Sequence, residues 1–165
     1  MKKINERDIA LNGVTAALYV VITFLGAPIA YGAIQFRISE ILVLLCFFNR
    51  KLSIGLVVGC LISNMASPMA LIDVPFGTLA TLVACLGIMF SKHLIVAILF
   101  PVISNAFIVA AELTTIGEPY WLSVLTVGAG ELAVMIAGYI IFMLLKRRKS
   151  FFDLIKATRN TEFKF

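Results

Sequence analysis

Histidine and tryptophan each occur once in these 165 residues and cysteine three times, and each scarcity closes a class of function. His93 stands alone, so no imidazole pairing for acid–base catalysis is available. Cys46, Cys60 and Cys85 fall inside apolar runs at spacings that match no metal or redox motif, and their odd number argues against a disulfide framework. They read as buried structural thiols. The phosphate cradle G-x-x-x-x-G-K-[ST] is missing, so the chain cannot use ATP by that route, and neither H-E-x-x-H nor G-x-S-x-G occurs. Also missing is a basic stripe interleaved with aromatics, so the net charge of +5 does not point to nucleic acid. The charged start, Met1 to Ala10, leads into an apolar stretch without a small-residue cleavage site, so this stretch is expected to be retained.

What is present is hydrocarbon. Hydrophobic residues make up 61% of the chain and the mean hydropathy is +1.04, against about half apolar residues in soluble proteins. Backbone groups in a bilayer must be satisfied internally, and long apolar runs without period-two alternation exclude a barrel. The fold class is therefore all-α integral membrane. Thirteen of the fourteen Lys and Arg cluster at the amino terminus, at Arg50 and Lys51, at Lys92, or after Leu145; Arg37 is the exception. Cytoplasmic loops hold the excess of such residues, which predicts a six-transmembrane-helix bundle with both termini cytoplasmic. Residues 1–149 form that bundle and 150–165 a cytoplasmic or interfacial tail, with no internal repeat and no second domain.

The expected helices run from about Ile9 to Ala27, Phe36 to Phe48, Leu52 to Ala66, Pro75 to Phe90, Leu94 to Leu113 and Tyr120 to Leu145. The second is short for a crossing, and Pro101 is expected to kink the fifth. Lys146 to Lys149 are a stop-transfer signal first and a contact for anionic lipid second.

Carboxylates inside such helices cost roughly 2.5–3.5 kcal/mol on insertion scales, so they face a cavity or a partner. Glu40, Asp73, Glu112 and Glu131 fall in or at apolar elements, and Glu118 lies in a loop beside them. Glu40, Asp73 and Glu112 sit toward the predicted outer side and Glu131 near mid-membrane. Asn105 and Glu112 share a helix face, as do Trp121 and Gly128, so an outward-opening polar hollow is expected. Plainer roles stay open: a pairing of Arg37 with Glu40 on one helix face, a cap on the fourth helix by Asp73, and an interface anchor in Trp121. Helix one carries a small-residue strip, Gly13 and Ala17 with Ala10, Ala16 and Val21 nearby, and reads as a contact helix outside any ligand site.

Three segments resemble one family: Ala16-Ala17-Leu18-Tyr19-Val20; Ile34-Gln35-Phe36-Arg37-Ile38-Ser39-Glu40; and Ser67-Pro68 through Leu71-Ile72-Asp73-Val74-Pro75-Phe76-Gly77-Thr78-Leu79-Ala80-Thr81. They are similar to the queuosine-precursor transporter (QueT) family, substrate-binding S components of energy-coupling factor (ECF) transporters in the bacterial cytoplasmic membrane. The resemblance implies capture of a 7-deazaguanine such as preQ0 or preQ1 from outside. It also implies partners, a transmembrane T component and two ABC ATPases, with Gly13, Ala17 and Val21 on the contact face. No cofactor and no metal are implied. Gln35, Arg37, Glu40, Asp73, Asn105, Glu112, Trp121 and Glu131 are the candidate substrate-binding residues, with Tyr31 a second candidate for ring stacking. The competing readings are a stand-alone ion-coupled carrier with Glu131 as the proton site, and an S component for a different vitamin or nucleobase-like substrate. An enzyme built on the carboxylates lacks a nucleophile.

Overall fold

In the computed structural model, which describes residues 5–26 and 36–157, every regular element among those residues is a helix. α1 (Glu6–Leu25) starts three residues before the apolar run because Asn5 caps it. The Asn5 side chain accepts from the Asp8 amide at 3.0 Å, and the Asp8 carboxylate accepts from the Asn5 amide at 3.3 Å. Two of the donors that a helix start leaves open are thereby satisfied. α2 (Ile38–Phe48) winds as a 3-10 helix over Ile38–Leu44 before relaxing to α geometry. There follow α3 (Ser53–Met65), α4 (Ala70–Phe90), α5 (Leu94–Thr114), α6 (Tyr120–Leu145) and α7 (Lys149–Leu154).

Among the described residues there are thus seven helices rather than six. The seventh, α7, arises directly after the basic run. α1, α4, α5 and α6 have 20, 21, 21 and 26 residues and are apolar enough to cross a membrane, which takes roughly 20. α2 and α3 are shorter. α4 starts five residues before Pro75, the position at which it was expected to open. Asp73 consequently lies in the first turn and caps nothing, the cap position being Met69. α5 is interrupted at Ile98, three residues before Pro101. The missing proline N–H and its ring both act on the carbonyl four residues back, at Ala97, so the distortion falls there rather than at Pro101 itself.

Large apolar side chains cover the outside, Leu71, Leu25 and Phe90 being 95%, 82% and 78% exposed. Lipid tails are as apolar as these side chains, so helix association rests on close packing and internal hydrogen bonds. α1 and α3 meet through Gly55 and Gly59. A Cβ at Gly55 would come within 2.4 Å of the Asn12 carbonyl oxygen, and one at Gly59 within 2.9 Å of the Tyr19 Cβ. The same crossing carries a hydrogen bond, the Gly55 amide donating to Asn12 Oδ1 at 2.6 Å.

At the end of the bundle where α1 starts and α7 lies, Phe48 packs against Phe47, Phe142 and Phe152 with ring centroids 5.3, 5.1 and 5.2 Å away. Phe152 belongs to α7, so the start of the tail is docked on the core. Asn49 Nδ2 donates to the Ile155 carbonyl at 2.9 Å. The buried Asp8 carboxylate holds Lys51 at 2.5 Å and Lys156 at 2.8 Å.

Candidate ligand-binding hollow

Six helices turn polar side chains inward at one level. Glu131 sits eleven residues into α6, about 16 Å along its axis, on the buried face shared with Val127, Gly130 and Val134. α5 presents Asn105 and Val109 from its own buried face. Arg37 immediately precedes α2 and Glu40 lies in its first turn. Arg37, Glu40, Asn105, Val109, Val127 and Glu131 line a hollow of about 10 Å³. It is narrow, with room for about one water molecule.

Charge and hydrogen bonding in this hollow are incomplete. Glu40 is held by the Tyr19 hydroxyl of α1, which donates to Oε1, and by the Thr81 hydroxyl of α4 at 3.3 Å. Thr81 also lies 3.1 Å from the Cys60 thiol of α3, which in turn is 3.9 Å from Arg37 Nη1 and 3.4 Å from Asn64 Nδ2. Beyond this web, Glu40 Oε2, Glu131 Oε1 and Asn105 Nδ2 are buried without a hydrogen-bond partner. Buried polar atoms are nearly always paired, and each exception costs about 1–3 kcal/mol. Three such atoms fall around one hollow, where the Asn105 amide is turned toward the Glu131 carboxylate.

A second acidic group lies further along α5. Glu112 in its last turn approaches Asp73 of α4. Both are buried, at 2% and 3% exposure. Asp73 accepts from the Ser67 hydroxyl, whereas Glu112 Oε1 has no partner.

Of the residues singled out in the sequence, Arg37, Glu40, Asn105 and Glu131 are brought together, and Asp73 with Glu112 forms a neighbouring pair. Trp121 is not part of the site. It is 70% exposed on the outer face of α6 against Tyr120, with ring centroids 5.1 Å apart. Gly128 admits a helix rather than a flat ligand, the Ala106 Cβ lying 3.3 Å from where its own Cβ would stand. Gln35 and Tyr31 lie outside the described residues. Glu118 is exposed.

α1 has two faces. Gly13, Ala17 and Val21 are exposed, and a Cβ at Gly13 would meet nothing within 4 Å. The opposite face contributes Tyr19, so α1, expected to stand apart from any ligand site, reaches the hydrogen-bond web around Glu40 without lining the hollow. Thr15, Tyr19 and Thr23, all buried and spaced by four, were the sequence signal for it. Among the described residues no group of three His, Cys, Asp or Glu could hold a metal ion.

Residues 9–147 match the model of a family described as QueT transporter. The chain belongs to the QueT transporter family. A protein named Queuosine precursor transporter QueT, from Lactococcus lactis subsp. cremoris (strain MG1363), is 35% identical over 167 residues, covering 90% of this chain and 97% of that one. No solved structure matches the chain. As a QueT family member the protein is a multi-pass transporter of a bacterial membrane. The match runs from within α1 through α6, so it includes every residue that lines the hollow, and it stops before α7.

Proposed function

We propose that this protein is the substrate-capturing S component of an ECF importer and that its hollow binds a queuosine precursor, a 7-deazaguanine such as preQ0 or preQ1. One observation carries the reading: the unpartnered buried atoms of Glu40, Asn105 and Glu131 surround a single space that Arg37 also borders. A guanine-like edge presents adjacent N–H donors, which a carboxylate accepts in a pair, and a carbonyl oxygen, which an amide or a guanidinium satisfies. Glu131 suits the first role, and Asn105 or Arg37 the second. The name of the Lactococcus relative supports the same ligand class.

The space is too narrow for a heterocycle while the helices stay as they are, so ligand entry requires them to part. α1 to α6 make six crossings with both termini cytoplasmic. The meeting of Asp8, Lys51 and Lys156 at one end of the bundle supports this orientation, because basic residues gather on the cytoplasmic side. Energy comes from a T component and two ABC ATPases, with the exposed strip Gly13, Ala17 and Val21 facing the T component.

Calorimetric titration of the detergent-purified protein with preQ0, preQ1, guanine and an unrelated vitamin tests the reading. Saturable binding confined to the deazaguanines is expected, and binding of the vitamin alone would overturn it. The buried, unpartnered Glu131 also suits an ion-coupled carrier acting alone. That alternative predicts uptake into liposomes driven by a pH gradient without any ATPase.

A further inference from the structure

α2 keeps a winding that helices seldom hold for long. Its first seven residues, Ile38–Leu44, are 3-10 helix, with the Glu40 amide donating to the Arg37 carbonyl at 3.0 Å, and Leu45–Phe48 alone are α. Runs of 3-10 winding beyond three or four residues are uncommon because their hydrogen bonds are poorer, and they mark hinges and strained stretches. The α end is fixed in the core. Phe48 packs against Phe142 and Phe152, and the Cys46 thiol lies 3.3 Å from that of Cys85. The 3-10 end is held by side chains from two other helices. The hydroxyls of Ser39 and Thr23 of α1 lie 2.7 Å apart, and those of Tyr19 and Thr81 donate to Glu40.

This winding sets what faces the hollow. At three residues per turn, side chains three apart eclipse, so Arg37 and Glu40 stand in one row, and both line the hollow. Rewound as α-helix from the fixed end, the seven residues shorten by about 3.5 Å, and Arg37 turns about 60° out of that row. Some such movement is needed, since the hollow has room for about one water molecule. α1 and α3 offer little of it, being already in backbone contact at Gly55 and Gly59.

We propose that Ile38–Leu44 is the segment that yields on ligand entry, rewinding from 3-10 to α and drawing Arg37 back from Asn105 and Glu131 far enough to admit a flat ring. This rests on the reading of the hollow as a deazaguanine site. The α turn of Leu45–Phe48 is already formed, so the change extends a helix and avoids the cost of nucleating one. The ligand drives it by binding the α-wound state better than the other. Ser39, six residues before Leu45, turns by about 120° in the change. Its bond to Thr23 therefore belongs to the empty state, while Thr23 keeps the Tyr19 carbonyl, 2.8 Å away, in both.

Spin labels on ketone-bearing residues placed at Ile38 and Leu154, both exposed, leave the native cysteines in place. Electron-spin distance measurement between them reads the length of α2, because α7 is docked at its fixed end. Saturating preQ1 should shorten the mean distance by about 3 Å. An unchanged distance in protein that calorimetry shows to be loaded overturns the rewinding and spares the hollow. Ser39→Ala gives a second reading, since it removes a bond made only in the empty state. It should tighten preQ1 binding by about fivefold, the worth of one ordinary hydrogen bond, and raise the share of the shorter distance before ligand is added. Unaltered or weaker binding by that variant also overturns the proposal. If the unsubstituted protein binds no deazaguanine, the hollow reading fails, and the ligand-free distance in Ser39→Ala then decides by itself whether the segment rewinds.

Discussion

Glu40 shows how one buried carboxylate can be held in place and still offer a free atom. The hydroxyls of Tyr19 and Thr81 occupy Oε1, while Oε2 is buried without a hydrogen-bond partner on a residue that lines the hollow. Removing the stronger tether isolates the effect: Tyr19→Phe keeps the ring but leaves Glu40 with Thr81 alone. Stability should fall by about 1–3 kcal/mol, visible as a lower melting temperature in detergent, and an unchanged melt would mean that the tether is idle. Glu131→Gln is nearly isosteric and retains one acceptor oxygen, yet it replaces the other with a donor facing a donor. Binding of preQ1 should weaken by more than about tenfold, as expected for loss of a hydrogen bond to a charged group. The cost of an acid within an apolar run made Glu40, Asn105's neighbour Glu112, and Glu131 legible from sequence. Tyr19, Thr81 and Cys60 were not legible, since hydroxyls can satisfy themselves on their own helix and a thiol behaves as a small apolar group. Trp121 illustrates a different limit: spacing told that it shares a face with Gly128, not which way that face points.

Helix by helix, apolar run length was decisive where charges or turn residues bounded it, as at α3 and α6, whose ends fall within a residue of expectation. α4 starts ahead of Pro75, which reads from sequence as a helix start, because a proline six residues in removes only one backbone bond and the apolar residues before it continue the helix. Nothing in eleven apolar residues separates a 3-10 from an α winding, so the form of α2 was not readable. The α1–α3 crossing gives a sharper test. Gly59→Leu drives a side chain into Tyr19 and Ala16, and overpacking of this kind costs about 1–3 kcal/mol. A drop in melting temperature is expected, with ligand affinity falling too because Tyr19 is displaced; a neutral result would mean that the helices do not touch there. α7 is held by Asp8 through Lys156 and by Phe152 in the core. Asp8→Asn should therefore speed tryptic cleavage at Lys156, and an unaltered cleavage rate would show that the ion pair does not hold the segment.

Over the whole molecule, the described chain has two chemically distinct outer regions and one polar interior. Its flanks are apolar, the end where α1 starts is basic and stitched by Asp8, and Glu40 and Glu131 are turned inward beside Arg37. The sequence has no G-x-x-x-x-G-K-[ST] phosphate cradle, so in the proposed reading the power for uptake comes from other subunits. The account therefore predicts uptake of labelled preQ1 by proteoliposomes only when the T component and the ATPases are present with ATP, and Gly13→Leu should abolish uptake while leaving binding intact. Uptake by the isolated protein in a pH gradient would favour the ion-coupled alternative. The central claim concerns the hollow itself, and calorimetric titration of the purified protein and its Glu131→Gln variant with preQ1 tests it most directly. One-to-one binding that the substitution weakens more than about tenfold is the predicted result; equal binding by both proteins, or none by the unsubstituted one, would contradict it.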